Sequence, residues 1–268
     1  MSYTSDPSLL LLTEVAVSAA RVAGAVLLEE FGNERHIEYK GIIDLVTDAD
    51  RRSEQAVVSI LRDRFPDHQI LAEEGTSGGT SARYRWIIDP LDGTTNYAHK
   101  YPHFAVSIGL ERDGEMVVGA VYDPVLDELF TAQAGSGAFL NGRQLRVSQS
   151  ERLLRSLLCT GFPYDHTFLE ASLRRWDHFV RQAQAVRRDG SAALDMCYVA
   201  AGRFDGFWED HLFPWDMAAA ALIVREAGGR VSNYRGLPPS VYQGEIVASN
   251  GLIHEAMLTS IAAADGTP

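Results

Sequence analysis

The stretch that decides the fold of this chain is Trp86-Ile87-Ile88-Asp89-Pro90-Leu91-Asp92-Gly93-Thr94-Thr95-Asn96. Its apolar start, Trp86 to Ile88, is typical of the end of a buried strand. Asp89 follows directly, and Pro90 is predicted to stop the strand because proline lacks the N–H that a ladder needs. Asp92-Gly93 predicts a turn, since glycine adopts positive φ at little cost. The stretch therefore places two carboxylates at the tip of a strand.

The last part of the stretch, Thr94-Thr95-Asn96, suits the mouth of a helix or turn, where backbone N–H groups and hydroxyls can hold an anion. Carboxylate oxygens and backbone carbonyls are the ligands that hard cations such as Mg²⁺ prefer. A bare Asp-Gly pair is typical of a solvated turn. The whole stretch instead indicates a cation site beside a phosphate-binding turn.

Further carboxylates are predicted at the ends of other elements. Asp50 lies near the start of a helix predicted over residues 44–65. A structural role as a helix cap is therefore as good an interpretation of Asp50 as a role in the site. Glu73 and Glu74 follow a short strand, and the residues alone do not choose between them. Asp216 begins an apolar helix, and a cap is the favoured interpretation there. If these carboxylates meet, they repel one another unless cations neutralise them, and an oxygen-only ligand set indicates Mg²⁺ or Mn²⁺ rather than zinc.

Cysteine and histidine predict no metal site. The two cysteines, Cys159 and Cys197, lie far apart among apolar neighbours and are expected to be buried and reduced, as in a cytoplasmic protein. His99 and His103 are four residues apart, but the intervening Tyr101-Pro102 argues against a shared helix face. We expect both histidines to be surface or packing residues.

Composition limits the class of partner. The chain has 268 residues, a formal net charge of −12 and a pI of about 5.1, which disfavours nucleic-acid and anionic-membrane binding. It contains no run of about 18 uncharged apolar residues, so no transmembrane helix is expected. No basic residue precedes the apolar run Leu9 to Leu12, so no signal peptide is expected.

The order of predicted elements indicates a layered α/β architecture. An amphipathic helix is predicted over residues 7–31, and hairpin turns at Asp113-Gly114 and Asn141-Gly142 indicate an antiparallel meander in the middle of the chain. Helices and strands alternate after a soft boundary near residue 150. We expect one domain, 1–268, with an N-terminal metal-binding lobe and a C-terminal substrate lobe.

Two motifs resemble the signatures of the inositol monophosphatase family. The first is Asp89-Pro90-Leu91-Asp92-Gly93-Thr94-Thr95-Asn96, and the second is Trp215-Asp216-Met217-Ala218-Ala219-Ala220 followed by Glu226-Ala227-Gly228-Gly229. The resemblance runs from about Lys40 to the end of the chain. It implies an α-β-α-β-α sandwich of the inositol monophosphatase and fructose bisphosphatase type, and Mg²⁺-dependent hydrolysis of a phosphate monoester.

The resemblance also implies roles for individual residues, and it selects Glu73 over Glu74. The implied metal ligands are Glu73, Asp89, the Leu91 carbonyl, Asp92 and Asp216. The implied catalytic residues are Glu73, Thr94, Asp50 and Lys40, although the spacing of Lys40 to Asp44 is one residue shorter than in the animal enzymes. The implied substrate-binding residues are Asp92, Gly93, Thr94, Gly190, Ser191, Ala192, Glu209 and Asp216.

The expected substrate is inositol 1-phosphate, and the same chemistry on fructose 1,6-bisphosphate, histidinol phosphate or adenosine 3′,5′-bisphosphate is the alternative. Glu209 favours a polyol, whereas Arg187 and Arg188 could receive a second phosphate. A non-catalytic binding protein would be expected to lack a metal ligand or the water-activating pair, and this chain has them all. The resemblance also implies a homodimer and sensitivity to Li⁺.

Overall fold

The computed structural model describes residues 8–32, 37–39 and 45–266. Within these ranges the α-helices are α1 (Leu9–Glu30), α2 (Asp48–Arg64), α3 (Thr94–Ala98), α4 (Leu169–Gln182), α5 (Ala192–Ala200), α6 (Pro214–Glu226) and α7 (His254–Ala264). The strands are β1 (Ile37–Tyr39), β2 (Leu45–Thr47), β3 (Gln69–Ala72), β4 (Ser77–Gly78), β5 (Tyr84–Asp92), β6 (Ala105–Arg112), β7 (Glu115–Asp123), β8 (Glu128–Gln133), β9 (Gly137–Leu140), β10 (Arg143–Gln144), β11 (Leu157–Thr160), β12 (Ala185–Arg187), β13 (Gly206–Glu209), β14 (Arg230–Ser232) and β15 (Ile246–Ser249).

Two large sheets organise these strands. The first has eight strands in the order β10-β9-β8-β7-β6-β5-β3-β4, with β3 parallel to β5 and the other neighbours antiparallel. The second has five strands in the order β12-β11-β13-β15-β14, with β11 parallel to both of its neighbours. The predicted antiparallel meander is the run from β6 to β10 in the first sheet.

Helices cover both faces of each sheet. Helices α1 and α2 pack together and against the eight-stranded sheet, and α5 and α6 fill the space between the two sheets. Helices α4 and α7 cover the outer face of the five-stranded sheet. The layers therefore follow the order α-β-α-β-α, which confirms the predicted fold class.

Helix α1 shows why an apolar helix can belong to the core. It begins after Ser8, whose hydroxyl accepts a hydrogen bond from the N–H of Leu11 at 3.2 Å. By length and composition alone it is apolar enough to cross a membrane. However, Leu12, Ala16 and Ala19 are completely buried against neighbouring elements of this fold. Packing on α2 and the eight-stranded sheet therefore accounts for the buried face of the helix, while Leu10, Val22 and Leu28 remain exposed.

Helix α6 approaches the eight-stranded sheet closely at a pair of glycines. Gly109 on β6 and Gly119 on β7 lie opposite each other in the register of the two strands. A Cβ atom on Gly119 would lie 2.6 Å from the backbone oxygen of Ala219, whereas one on Gly109 would meet the flexible end of Met116 at 2.8 Å and the Ala218 Cβ at 3.0 Å. The two glycines therefore allow the helix that carries Asp216 to lie directly on the sheet.

We expect Gly119→Ala to lower the free energy of unfolding by about 1–3 kcal/mol, because the backbone of α6 must move to admit the methyl group. Gly109→Ala is the matched control, and its loss should be smaller because the Met116 side chain can rotate away and the atoms of α6 lie 3.0 Å or more from the new methyl group. Urea unfolding of the two variants and the parent protein measures the difference. Equal losses would contradict the proposed close approach of α6 at Gly119.

A buried histidine joins the last elements of the chain. The Nε2 atom of His254 lies 2.8 Å from the Ser232 hydroxyl, and its Nδ1 atom lies 2.8 Å from the Ser249 hydroxyl. Burial lowers the pKa of His254 to about 4, and the nearby Arg230 acts in the same direction. The ring is therefore neutral at pH 7 in the folded protein.

This pKa predicts a loss of stability in mild acid. Between the ordinary histidine pKa of about 6.5 and about 4, the unfolded chain binds a proton that folded His254 refuses, so stability falls with falling pH by up to about 3 kcal/mol. Urea unfolding at a series of pH values measures this dependence. The free energy of unfolding should change less with pH in His254→Gln than in the parent protein. Exposed His166→Gln is the control, and a profile that changes equally in both variants would disprove the assignment.

Candidate active site

The parallel strands β3 and β5 bring the first two predicted site residues together. Ala72 at the end of β3 pairs with Ile88, and the N–H of Glu73 donates to the Ile88 carbonyl at 3.2 Å. Glu73 therefore leaves its strand beside Asp89, and both residues line one cleft. The N–H of Glu74 instead donates to the carboxylate of Glu54 at 2.8 Å.

Pro90 does not stop β5, which corrects the sequence prediction. The strand continues to Asp92, with a shift of register against β6 between Asp89 and Asp92. Proline is tolerated at such an irregularity because no ladder hydrogen bond is required there. The Pro90 carbonyl accepts a hydrogen bond from the buried Ser53 hydroxyl at 2.7 Å. The distortion leaves both aspartates at the mouth of the cleft.

Asp89 is the centre of a group of carboxylates. It is 2% exposed, and its Oδ1 atom accepts a hydrogen bond from the N–H of Leu91 at 2.9 Å. Burial raises the pKa of Asp89 well above its ordinary value, and the charges of Glu73, Asp92 and Asp216 raise it further. Four acidic side chains thus converge from β3, β5 and α6, and they strongly favour a bound cation.

Helix α5 holds the second aspartate of the motif. The Oδ2 atom of Asp92 accepts a hydrogen bond from the Ser191 hydroxyl at 2.5 Å and another from the N–H of Ala193 at 2.8 Å. Burial raises the pKa of Asp92, and these two hydrogen bonds oppose that shift. The N-terminus of α5 therefore fixes Asp92 and joins the two halves of the chain at the cleft.

Asp216 has a structural contact as well as its place in the cleft. It is the third residue of α6, and its Oδ2 atom accepts a hydrogen bond from the N–H of Phe213 at 2.7 Å. The capping interpretation of this residue is therefore correct. The charge of Asp216 also raises the pKa of Asp89. The same side chain therefore caps α6 and belongs to the carboxylate group.

Asp50 likewise has two sets of contacts. Its Oδ2 atom accepts hydrogen bonds from the N–H and the hydroxyl of Thr47, at 2.8 and 2.5 Å, and these define the start of α2. Helix α2 thus begins at Asp48 rather than near residue 44, because Leu45–Thr47 is extended and pairs with β1. The Thr94 hydroxyl lies 3.2 Å from Asp50 Oδ1 and 3.0 Å from the Leu91 carbonyl oxygen, so one hydroxyl hydrogen serves two acceptors.

Two turns pack against each other at the back of the cleft. Gly93 has φ +94°, and a Cβ atom there would lie 3.1 Å from the His103 carbonyl oxygen and 3.3 Å from that of Gly190. The side-chain amide of Asn96 donates to the His103 carbonyl at 2.9 Å and to the Asp189 carbonyl at 2.7 Å. Asn96 therefore ties the motif after β5 to the turn that precedes α5.

The predicted substrate residues line the far side of the same cleft. Gly190, Ser191, Ala192 and Glu209 all face it, together with Arg188. Burial raises the pKa of Glu209 well above its ordinary value, and the charge of Asp216 raises it further, while Arg188 opposes the shift. The structure thus brings the predicted metal ligands and substrate residues to one cleft, and their roles stay predictions.

Sequence reasoning missed several residues of the cleft. Asp195 lines it from α5, and the aromatic side chains of Phe213 and Trp215 line it as well. Asp195 carries no local signal, because a lone aspartate inside a helix is usually solvated. Lys40, the remaining predicted catalytic residue, lies outside the described residues.

The donor set of the cleft fits a hard divalent cation. Glu73, Asp89, Asp92 and Asp216 offer only oxygen, and burial and the charges of the other three carboxylates both raise the pKa of Asp89. The Leu91 carbonyl lies beside them and already accepts from Thr94. A carbonyl oxygen has two lone pairs, so this contact leaves room for a second donor or a cation.

The double contact of Asn96 predicts a sharp dependence of stability on its amide nitrogen. Asn96→Ala should lower the free energy of unfolding by about 1–3 kcal/mol, and Asn96→Asp by more, because a carboxylate would face two buried carbonyl oxygens. Chemical unfolding measures both losses. Exposed Gln149→Ala is the control, and an Asn96→Asp variant as stable as the parent would contradict this role.

Comparison with known proteins places this chain among described sequences and structures. The profile of the inositol monophosphatase family matches residues 9–265. The inositol-1-monophosphatase of Synechocystis is 47% identical over 253 residues, which cover 93% of this chain and 88% of that protein. Nus factor SuhB of Pseudomonas aeruginosa is 46% identical over 260 residues, covering 93% of this chain and 95% of that protein.

A solved structure agrees with these sequence matches. The crystal structure of the extragenic suppressor protein SuhB from Bartonella henselae superposes with a TM-score of 0.91 at 42% identity, covering 94% of this chain and 98% of that one. The resemblance predicted from the two motifs is thereby confirmed. This chain belongs to the inositol monophosphatase family, whose members are metal-dependent, and it is a phosphoric monoester hydrolase.

Proposed function

We propose that this chain hydrolyses inositol 1-phosphate to inositol and phosphate in a reaction that requires Mg²⁺, with Mn²⁺ as a substitute. The observation that carries the proposal is the convergence of four carboxylates at Asp89, beside a cleft that Glu209 also lines. When bound there, the cation would supply the positive charge that polarises the attacking water and offsets the charge of the phosphate. Glu73, Asp89, Asp92, Asp216 and the Leu91 carbonyl would hold it.

The residues that would move the proton are Glu73, which belongs to the carboxylate group, and the pair of Thr94 and Asp50. Thr94 is held by its hydrogen bonds to Asp50 and Leu91, so its oxygen has a fixed position at the cleft. We infer that Thr94 orients the attacking water and that Glu73, with the Thr94–Asp50 pair, accepts its proton. No serine or cysteine nucleophile is needed, because water attacks the phosphorus directly. Lys40 remains a proposed contributor from the sequence resemblance alone.

Contacts across the cleft support a polyol as the leaving group. The carboxylate of Glu209 lies against Gly161, within the space that a Cβ atom would fill there. A carboxylate accepts hydrogen bonds from sugar or inositol hydroxyls, and the turn at Gly190, Ser191 and Ala192 would contact the same part of the substrate. The backbone at Gly93 and Thr94 would hold the phosphate.

A second substrate class has one specific observation in its favour. Arg188 lines the cleft, and a guanidinium is suited to a second phosphate, as in fructose 1,6-bisphosphate or adenosine 3′,5′-bisphosphate. However, the positive charge of Arg188 also lowers the pKa of the nearby Glu209 carboxyl. Glu209 therefore offsets the charge that Arg188 could offer to a second phosphate. We therefore rank these substrates, and histidinol phosphate, below inositol 1-phosphate.

The remaining parts of the proposal rest on the family resemblance and composition. We propose a cytoplasmic homodimer that Li⁺ inhibits, built as one domain with two lobes that meet near residue 150. Membrane binding is not expected. One relative is named a Nus factor, so the expectation of no nucleic-acid partner rests on the net charge of −12 alone.

The proposal predicts phosphate release from inositol 1-phosphate that requires Mg²⁺ and stops when a chelator is added. Fructose 1,6-bisphosphate, measured side by side, should be turned over more slowly because Glu209 offsets the charge of Arg188, which leaves no free cation for a second phosphate among the described residues that line the cleft. Asp92→Asn should lose at least about 100-fold in turnover, because the isosteric amide keeps its hydrogen bonds but loses the ligand charge.

Asp113→Asn, which changes an exposed carboxylate on a hairpin, is the matched control and should keep full activity. Circular dichroism of Asp92→Asn checks that the fold is intact. Full activity in Asp92→Asn would disprove the metal site. Faster turnover of fructose 1,6-bisphosphate would overturn the substrate assignment and leave the chemistry standing.

A further inference from the structure

Three metal-ligating side chains meet behind the cleft, in a group that the proposed reaction does not use. His103 comes from the segment before β6, Asp189 from the turn before α5, and Asp195 from α5 itself. One ligand atom from each lies within 4.8 Å of the other two. This group, the His103 cluster, joins the segment before β6 to a remote part of the sequence, the turn before α5 and α5 itself.

Two atoms of the His103 cluster are buried and lack hydrogen-bond partners among the residues that the structure describes. They are His103 Nε2 and Asp195 Oδ1, in side chains whose residues are 9% and 1% exposed. The two atoms lie 3.9 Å apart, which is an ion-pair distance when His103 is protonated but is too long for a well-formed hydrogen bond. Each unsatisfied buried polar group costs about 1–3 kcal/mol, so two of them aimed at each other point to a ligand between them.

We propose that His103, Asp189 and Asp195 bind one divalent transition-metal ion, for which Zn²⁺ is the best fit. One imidazole and two carboxylates form a donor set that suits zinc, whereas Mg²⁺ prefers oxygen ligands alone. Zinc bonds of about 2.0–2.1 Å at a tetrahedral angle separate two ligand atoms by about 3.4 Å. The observed 3.9 Å is close to that separation, and a small rotation of either side chain closes the difference.

The surroundings of the cluster favour a cation. Burial alone would lower the pKa of His103, but the carboxylates of Asp195, Asp189 and Asp92 outweigh it and raise the pKa above its ordinary value. The buried carboxylate of Asp123 also acts on His103. These acidic groups come from β5, β7, the turn before α5 and α5 itself, so the negative potential surrounds the site.

Two further contacts define the ligand set and its access. The thiol of Cys159 lies against Asp195, but it does not belong to the group of ligand atoms that lie within 4.8 Å of one another, so it is not counted as a ligand. Asp195 also lines the open cleft, and Asp189 is half-buried, which gives a metal ion a path to the site. The cluster is therefore separate from the carboxylates at Asp89 but reached from the same opening.

The test is a titration of the full-length, metal-free protein with Zn²⁺ in the presence of excess Mg²⁺, followed by calorimetry. We expect one Zn²⁺ per chain that Mg²⁺ does not displace, and affinity at least about 100-fold weaker in both His103→Gln and Asp195→Asn. Co²⁺ used as a probe should show the intense visible absorption of a tetrahedral nitrogen-containing site in the parent protein and lose it in both variants.

Two controls separate this site from others. Exposed His99→Gln should bind Zn²⁺ as the parent protein does, and so should Asp216→Asn, which alters the proposed Mg²⁺ site. Circular dichroism and thermal melting of the metal-free variants check that they fold. His103→Gln and Asp195→Asn alter different parts of the fold, so a shared loss of Zn²⁺ binding would not come from one local disturbance. Zn²⁺ binding that Mg²⁺ displaces, that Asp216→Asn abolishes, or that survives in His103→Gln and Asp195→Asn would each overturn the proposal. Any of these results would leave the proposed phosphatase reaction untouched.

Discussion

Mutual repulsion among buried carboxylates is the constraint on which this structure depends. Asp89 is buried beside Glu73, Asp92 and Asp216, and the charge of each neighbour makes its own ionisation harder. A fold that places four acids together loses stability unless donors and cations compensate. The surrounding backbone supplies part of this compensation, through the N–H of Leu91 and the first turns of α5 and α6. Cation binding at the proposed metal site would supply the rest, which would couple the function of the cleft to its stability.

The two sheets can share this cleft only because small residues let the middle helices approach closely. Helix α6 lies against Gly109 and Gly119, and its alanine-rich face fills a thin layer between the sheets. Asp216 at its start therefore reaches the end of β5. Helix α5 also begins at the cleft, where the Ser191 hydroxyl donates a hydrogen bond to Asp92. The helices of the middle layer thus place Asp216 and Ser191 next to the end of β5, and they also pack against the second sheet.

Much of this arrangement was predictable from local sequence, and the failures have physical causes. The two motifs predicted the fold class and the carboxylates of the cleft, because strand ends and helix starts have strong local signals. The stop at Pro90 was wrong because a register shift, which depends on the neighbouring strand, accommodates the ring. The start of α2 was misplaced because Leu45–Thr47 pairs with another strand. The contact of His103 with Asp195 depends on tertiary packing, and residue spacing carries no trace of it.

Asp50 and Asp216 show why structural and functional interpretations of one residue need not compete. Each carboxylate accepts the N–H of its helix's N-cap residue, and each also interacts with a residue of the cleft. A helix N-terminus stabilises negative charge, so it suits an aspartate that lies close to other acids. The cap fixes the orientation of the side chain before any ligand arrives, which lowers the entropic cost of binding. The capping bond would therefore hold each carboxylate in position for the role proposed for it in the cleft.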